Sequence, residues 1–445
     1  PPKDRRVCLA KLDEEVNVAG NSYALGSCEF QNTIFPKGYL FLKEFSLSPF
    51  PKYVYAAQEV EVQKTIFMPH WKNCTITIYN VLNKNDLDVK IRVYPLIACR
   101  HFHSVIDRWK IPWEIAQKRE NREVDISSDA PQSTLIMSAT NGHYFADGKW
   151  IERIYFREEA LRGESCLDDH YQPGYFEISV KANASESFAI TAVADKNEKS
   201  ARNIWSEMPI TMYDVEALYG SELERREKLL RKFYEEHNKL AAKNWLDWIV
   251  LATDTFIVRG NVGEQFVVAG YHWFDAWGRD TFISLPGLML ITGKFEDARR
   301  VFLTFKNYFK DGLIPNFIPD DVSQPVYNSV DATLWYVNAV LQYLKYTDDF
   351  KFVREQLWEN LRAIIENHAK GINSRIRMDA DGLLNHEPQL TWMDVAIDGQ
   401  PITPRAGKAV EIQALWYNTL KIMELLASRF KEKSEAEKYV KMAEK

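Results

Sequence analysis

The chain has 445 residues, several times the size of a typical single domain, so its length predicts two or three domains. Its 56 basic and 62 acidic side chains give a net charge of −6, which argues against a broad nucleic-acid-binding surface. No apolar run approaches the ~20 residues that a membrane-spanning helix needs, so we expect no membrane partner. Aromatic residues make up 13% of the chain, which favours either a large apolar core or a cleft that binds sugar rings.

Residues 1–205 show the pattern of short strands separated by turns. Several segments alternate apolar and polar residues, as half-buried antiparallel strands do. The predicted strands are 59–68, 74–82, 87–97, 134–139, 175–181 and 188–193. Their spacing of about ten residues predicts an N-terminal antiparallel β-sandwich. Residues 101–122, rich in basic and aromatic side chains, are expected to form a loop.

After residue 205 the periodicity changes to that of helices. Residues 206–240 are strongly charged and favour a solvated helical linker. Residues 241–445 then predict further helices, with long loops between alternate pairs. The predicted helices are 241–258, 279–292, 295–309, 332–346, 349–369, 406–430 and 434–445. This arrangement indicates helical hairpins in a toroid, whose loops gather at one end and can build a site.

The ends of the chain and its cysteines bear on the protein's context. The chain starts at Pro1 without Met and stops inside the helical pattern of 434–445, so we expect it to be part of a longer protein. Its five cysteines all lie between Cys8 and Cys166, with no metal-binding spacing and an odd count that does not suggest a disulfide framework. No signal peptide is visible, so a cytoplasmic location is expected.

Four loops of the helical half concentrate polar and aromatic residues, at 270–280, 312–331, 378–394 and 397–411. In the first, Trp273 and Trp277 offer apolar walls, while Arg279 and Asp280 offer a donor fork and an acceptor. That combination suits a sugar, whose ring has an apolar face and a belt of hydroxyls. Asp280 has a second interpretation, as the N-cap of the helix that follows it. Pro286 predicts a kink inside that helix.

The second and third loops each contain an aspartate of interest. Asp331 opens a helical pattern and could contact a substrate, but capping its own helix is the favoured interpretation. Asp394 follows Trp392 and Met393 in a largely apolar stretch. Desolvation there would raise the pKa of Asp394, as a general acid requires. On the residue pattern alone, a structural role for this aspartate is the commoner outcome.

The fourth loop contains Arg405, Lys408 and Glu411, which advance in steps of three and would lie on one helix face. An internal ladder of ion pairs and a rim for substrate both fit this spacing. Elsewhere the chain has no Walker loop, dinucleotide-binding fingerprint, zinc-protease motif or serine-hydrolase elbow. We therefore expect no cofactor and no metal.

The run from His272 to Gly287 resembles the glucosidase domain of archaeal and bacterial glycogen debranching enzymes. Segments 312–320, 327–335, 390–394 and 403–418 resemble the same domain in the same order, and residues 38–39 and 64–70 resemble the family's N-terminal β domain. The resemblance implies a β-sandwich followed by an (α/α)6 barrel that removes α-1,6-linked glucose at branch points of glycogen or dextrin. Such a barrel has six helical hairpins, so residues 241–445 are expected to form only its first part.

The resemblance also implies roles for individual residues. Asp394 falls where the family has its general acid in an inverting mechanism. The water-activating Glu is expected beyond Lys445, and Glu411 is the only local substitute. Arg279 and Asp280 fall where related glucoamylases hold the hydroxyls of the sugar being cleaved. The residues expected to bind substrate are Trp273, Trp277, Arg279, Asp280, Asp331, Trp392, Arg405, Lys408 and Glu411.

Two other functions remain open. One is a different (α/α)6 α-glucosidase, of glucoamylase or trehalase type, and the other is a glucan-binding fragment without catalysis. In the leading interpretation the partner is glycogen or another branched α-glucan. Nucleic acid and membranes are not expected partners, and the sequence indicates no particular oligomeric state.

Overall fold

The computed structural model describes residues 5–110, 115–129, 132–260, 263–319 and 324–445. The chain divides into two compact units, residues 5–225 and 226–445. The first unit is built mainly from strands and the second mainly from helices, so the predicted order of a β-rich part followed by a helical part is confirmed. The division falls inside a helix, within the residues predicted as a linker, 206–240.

The strand-rich unit is a succession of antiparallel strands with few helices. Its strands are β1 (Arg6–Val18), β2 (Asn21–Ala24), β3 (Cys28–Phe30), β4 (Thr33–Phe35), β5 (Leu42–Ser46), β6 (Lys52–Ala57), β7 (Val60–Phe67), β8 (Cys74–Asn83), β9 (Val89–His101), β10 (Ile115–Glu120), β11 (Glu123–Asp129), β12 (Gln132–Ala139), β13 (His143–Tyr155), β14 (Leu167–Val180) and β15 (Ala184–Asp195). Its helices are α1 (Arg157–Leu161) and α2 (Glu198–Trp205), and α3 (Met212–Glu236) continues across the division.

Two sheets of this unit form the predicted β-sandwich. One has the strand order β13-β14-β9-β1-β2 and the other β10-β11-β12-β15-β8-β7-β6-β5. Alternate residues of β1 are buried, among them Leu12 and Val16, and they pack in one core with Tyr79 of β8 and Phe176 of β14. Each fully buried aliphatic side chain contributes about 1.5–3 kcal/mol to the free energy of unfolding. Burial of these alternate side chains therefore holds the two sheets together.

One prediction for this unit is wrong. Residues 101–122 were expected to form a loop, but Ile115–Glu120 is strand β10, paired with β11 at the edge of the larger sheet. Most of its side chains are exposed. An edge strand that buries few side chains shows no apolar alternation. With charged residues at its end as well, this segment could not be recognised as a strand from the sequence.

The helical unit contains eight helices downstream of α3 in the described ranges, with short strands in the connecting loops. The helices are α4 (Asn244–Thr255), α5 (Gly278–Leu285), α6 (Phe295–Asn307), α7 (Asp331–Thr347), α8 (Phe350–Phe352), α9 (Trp358–Lys370), α10 (Val410–Arg429) and α11 (Lys433–Ala443). The strands are β16 (Ile257–Arg259), β17 (Gln265–Gly270), β18 (Phe274–Trp277), β19 (Phe317–Ile318), β20 (Ile376–Met378), β21 (Leu384–His386), β22 (Ala396–Ile397) and β23 (Gln400–Pro401). Every predicted helix overlaps an observed one.

Two single turns of π-helix interrupt this α-helical pattern. They cover Pro286–Leu290, directly after α5, and Val353–Leu357, directly after α8. The first begins at the proline for which a kink was predicted. A proline has no N–H to donate to the preceding turn, so the hydrogen-bond pattern changes at that residue.

Helices α5, α7 and α10 are neighbours, with α7 in the middle. Near the start of α5, the ring of Phe282 packs edge-on against Tyr336 of α7, with ring centres 4.9 Å apart. Further along α7, Asn338 accepts a hydrogen bond of 3.1 Å from Asn418 of α10. The first turns of α5 and α7 are also in contact, through Arg279 and Asp331. Because their starts meet and Phe282 and Tyr336 meet further along, α5 and α7 run in the same direction, and the loops that precede these two helices meet at one end.

Candidate active site

Gly278 allows two loops to meet at the start of α5. Strand β18 pairs with β19, and the N–H of Gly278 donates a 2.8 Å hydrogen bond to the carbonyl of Asn316. A Cβ at position 278 would lie 2.3 Å from the carbonyl oxygen of Pro315, so only glycine fits without a shift. The next residue, Arg279, is thereby held in the first turn of α5.

Arg279 and Asp331 form a buried ion pair between the first turns of α5 and α7. Nε and Nη2 of Arg279 donate to the two carboxylate oxygens of Asp331 at 2.7 and 3.0 Å. The side chains are 12% and 4% exposed. Burial opposes the charge of the guanidinium, but the hydrogen bonds to Asp331 raise the pKa of Arg279. This two-point geometry fixes the plane of the guanidinium group.

The structure changes the interpretation of Asp331. The favoured prediction, that it caps its own helix, is wrong, because Asp331 is already the first residue of α7 and Val330 stands at the N-cap position. Instead, Ser329 donates to the carboxylate of Asp331 and accepts a 3.0 Å bond from the N–H of Ala332. Both carboxylate oxygens of Asp331 thus accept hydrogen bonds from protein donors, and Asp331 holds the guanidinium of Arg279 in place.

Asp394 lies on the other side of the same guanidinium group. Its Oδ2 is 3.7 Å from Nη1 of Arg279, and its side chain is 24% exposed. The loop that carries it is joined to α7 by a 2.8 Å hydrogen bond from the N–H of Val330 to the carbonyl of Leu390. The surroundings are more open than the apolar sequence indicated, because Trp392 is 57% exposed.

Asp280 completes a group of three carboxylates around Arg279. The prediction that Asp280 caps the following helix is wrong, because α5 already begins at Gly278. Its side chain reaches solvent, yet it is crowded enough that desolvation raises its pKa. The charges of Asp331 and Asp394 raise that pKa further, and Arg279 lowers it. The backbone N–H of Asp280 donates to this carboxylate and also lowers its pKa. The hydroxyls of a ligand can supply further hydrogen-bond donors.

Three acidic side chains near this site lie at helix N-termini. Asp280, Asp331 and Glu411 each lie in the first turn of their helix, α5, α7 and α10 respectively. A helix N-terminus carries a partial positive charge that stabilises a nearby anion by about 0.3–1 kcal/mol. Three neighbouring N-termini therefore hold three carboxylates at one end of the helical unit.

The predicted helix face of Arg405, Lys408 and Glu411 is wrong, because α10 begins only at Val410. Gly407 has a φ of +98° and forms a β-bridge with His386, and neither is compatible with an α-helix.

Within this loop, Arg405 forms an ion pair with Glu411 at 2.5 Å, and its Nη1 lies 3.9 Å from the sulfur of Met393, next to Asp394. Lys408 turns away and pairs with Asp379 and Asp381 at 3.2 and 2.6 Å. The structure therefore links Arg405 and Glu411 to the end of the 378–394 loop, next to Asp394, whereas it links Lys408 to the beginning of that loop.

The three predicted tryptophans have different environments. Trp277 packs against Phe317, with ring centres 5.1 Å apart, whereas Trp273 is half-buried and Trp392 is exposed. Sequence reasoning missed Asn316, whose buried side-chain amide has no hydrogen-bond partner among the described residues. The only sequence signal that could have found Asn316 is its position between Pro315 and Phe317 in the second of the four polar and aromatic loops.

No group of metal-ligating side chains is found among the described residues. In the described ranges, no three His, Cys, Asp or Glu side chains come together in a way that could hold a metal ion. In those same ranges, no helix combines the length and the apolar character needed to cross a membrane.

Family models and curated proteins match the sequence. Residues 1–186 match the model described as glycogen debranching enzyme N terminal, and residues 251–445 match amylo-alpha-1,6-glucosidase. A glycogen debranching enzyme of Saccharomyces cerevisiae is 31% identical, in an alignment that covers 34% of this chain. The alignment covers 14% of the yeast protein, so the chain spans a small part of that relative's length.

Solved structures resemble the chain at low sequence identity. A putative kojibiose phosphorylase from the human microbiome has a TM-score of 0.53 and 10% identity, covering 97% of this chain and 58% of that one. A bacterial glucoamylase solved with acarbose has a TM-score of 0.51 and 11% identity, covering 100% and 62%. These likenesses show the fold alone, and they confirm the predicted class of a β-sandwich with an (α/α)6 helical part. The matches to both family models carry the conclusion that the chain belongs to the amylo-α-1,6-glucosidase family of glycogen debranching enzymes.

Proposed function

We propose that the chain carries the sugar-binding and proton-donating part of a glycoside hydrolase that removes α-1,6-linked glucose from branch points of glycogen or dextrin by an inverting mechanism. One observation supports this most strongly. A buried, two-point ion pair holds the guanidinium of Arg279 between the exposed carboxylate of Asp280 and the half-buried carboxylate of Asp394. Family membership supports the substrate class.

Arg279 and Asp280 are proposed to bind the glucose unit that is released. Asp331 occupies Nε and Nη2 of Arg279, so Nη1 remains to donate to a sugar oxygen. Asp280 would accept hydrogen bonds from sugar hydroxyls, which relieve the desolvation that raises its pKa. Asp331 touches no substrate in this proposal and acts as a positioning residue for Arg279.

Asp394 is proposed as the general acid that protonates the leaving glycosidic oxygen. Its loop is fastened to α7 at Val330, directly before the residue that orients Arg279, so sugar binding and proton donation share one support. An inverting hydrolase also needs a carboxylate base about 6.5–9.5 Å from the acid, with a water molecule between them. Glu411 is engaged by Arg405, and we assign no base.

The direct test measures glucose released from a branched limit dextrin by the complete protein and by its Asp394→Asn variant. Loss of a general acid lowers kcat about 10²–10⁴-fold, and KM should change little. A matched Glu387→Gln variant, which breaks an exposed ion pair with Arg375, should leave both constants unchanged. Equal, measurable kcat for Asp394→Asn and the unmodified complete protein would refute the assignment of the acid.

Two further outcomes separate the other candidate functions. Preference for maltose over isomaltose would replace the debranching linkage with that of a glucoamylase-type enzyme. Dextrin binding by calorimetry with no glucose release by the complete protein would indicate glucan binding without catalysis.

A further inference from the structure

The strand-rich unit contains a polar cavity of about 500 Å³ that the proposed active site does not use. It lies at one end of the space between the two sheets, next to the apolar core. Residues of β1 line one side, and residues of β6, β7 and β8 line the other. Ligand-binding pockets have volumes of about 300–1,000 Å³, so this cavity is large enough for a short oligosaccharide.

Two ion pairs form the floor of the cavity. Lys64 Nζ lies 2.8 Å from Glu14 Oε1 and donates to the carbonyl of Leu12 at 2.7 Å, and Tyr79 donates to the same Glu14 oxygen at 2.7 Å. Lys11 pairs with Asp13 at 2.8 Å. A buried ion pair of this type is weak evidence for stability, because apolar residues of similar volume often stabilise a fold as well or better. Stability alone therefore does not account for its presence in a sandwich core.

Aromatic side chains line the cavity beside these charges. Tyr53 and Tyr55 project from the same face of β6, and their rings are nearly parallel, with 10° between the planes and 6.3 Å between the centres. Burial, together with the nearby charge of Glu14, raises the pKa of Tyr55, so its phenol keeps its proton and can donate a hydrogen bond. Flat aromatic faces beside hydrogen-bonding groups suit the apolar face and the hydroxyls of a sugar ring.

Two glycines build the rim of the cavity by allowing close approach. A Cβ on Gly26 would lie 2.2 Å from Oδ1 of Asp13, and a Cβ on Gly38 would lie 2.1 Å from the carbonyl oxygen of Leu25. The Gly38 contact places Tyr39 at the mouth of the cavity, with its N–H bonded to the Ser27 hydroxyl at 3.1 Å and its side chain 48% exposed. A third aromatic ring therefore stands at the entrance, in contact with solvent.

The charge balance selects the class of ligand. The lining holds two lysines, Lys11 and Lys64, and two carboxylates, Asp13 and Glu14, so the formal charges cancel. A phosphate or another anion would face as many negative as positive groups. A neutral molecule with many hydroxyls can donate to the carboxylates and accept from the ammonium groups.

We propose that this cavity is a second, non-catalytic site that binds a short segment of an α-glucan chain, so that the β-sandwich holds the polymer independently of the helical unit. The choice of an α-glucan among neutral hydroxylated ligands rests on the proposed function. The geometry of the cavity, its charges and its tyrosines stand without it.

The test uses maltohexaose binding to the whole 445-residue chain, measured by calorimetry and by hydrogen–deuterium exchange. Protection should appear in β1, β6 and β7, and Tyr53→Ala should weaken binding at this site about tenfold. Tyr213→Ala removes a tyrosine of α3 that is 80% exposed and should leave the affinity unchanged. Lys64→Met should also weaken maltohexaose binding. Because Lys64 is buried, its affinity is compared only if the variant and the parent chain have the same melting temperature. If they differ, the test rests on Tyr53→Ala, since Tyr53 is half-buried.

An Asp280→Asn variant separates this inference from the proposed function. If the cavity binds glucan, protection of β1, β6 and β7 persists in Asp280→Asn, whatever happens to glucose release. Maltohexaose that leaves these strands unprotected, or that binds folded Tyr53→Ala as tightly as the parent chain, overturns the inference. Protection of the same strands by inorganic phosphate instead of maltohexaose also overturns it.

Discussion

Replacing Asp331 with alanine tests whether the buried ion pair supports the site in the way we describe. The substitution leaves the guanidinium of Arg279, whose side chain is 12% exposed, without its two charge-assisted bonds of 2.7 and 3.0 Å. Removing one partner of a buried pair costs about 3–5 kcal/mol. Asp394 remains within 3.7 Å and still faces Arg279. We therefore expect a loss near the lower limit, about 3 kcal/mol, in the free energy of unfolding.

The assay is urea unfolding followed by far-ultraviolet circular dichroism, which reports mainly on the helical unit. The matched control is Glu387→Gln, which breaks a 2.9 Å ion pair whose side chains are 44% and 53% exposed and should cost at most about 1 kcal/mol. The double variant Arg279→Met with Asp331→Ala removes both charges and should regain most of the lost stability. A cost for Asp331→Ala no larger than the control, or a double variant as unstable as the sum of the two single variants, would refute the reasoning.

Three further predictions concern single positions. Because the pKa of Asp280 is raised in the folded state, its ionised form is destabilising, so Asp280→Asn should raise the melting temperature at pH 7, with the gain vanishing as pH falls below about 4; a lower melting temperature at pH 7 would contradict this. Burial lowers the pKa of His368 to about 4, so stability that is complete above pH ~6.5 should fall by about 3 kcal/mol as pH drops toward 4. His368→Leu should remove most of that slope in acid titrations of unfolding, and an unchanged slope would count against it. Gly278→Ala should cost about 1–3 kcal/mol through its contact with Pro315, whereas Gly287→Ala, which meets no atom within 4 Å, should be neutral or stabilising; equal losses in thermal melts would reject the close-approach argument.

Much of the fold could be predicted because burial leaves a period in the sequence. Burial alternates along residues 60–64 of β7 since one face of that strand lies in the sandwich core, and the helix Asp331–Thr347 repeats its apolar residues because it is packed between two others. Where burial is slight, as in the edge strand Ile115–Glu120, the period is absent and the prediction was wrong.

The site was harder to predict because its geometry depends on contacts between distant residues. Arg279 and Asp331 are separated by 52 positions, and no local pattern shows that the second holds the first. The steps of three from Arg405 suggested one helix face, but a glycine with positive φ and a β-bridge delay the helix. The family resemblance indicated which residues could form the site. The proposed division of these residues into ligand-binding and positioning roles depends on contacts that only the structure shows.

The π-helical turn at Pro286–Leu290 gives the helix that carries Arg279 a tolerance for changes of length. A π turn contains one residue more than the α-helical hydrogen-bond pattern requires. Losing a residue there would restore the α pattern, and the residues on either side would keep their facing toward the core. The segment is thus a place where the chain can lose a residue without rotating the end of the helix that carries Arg279.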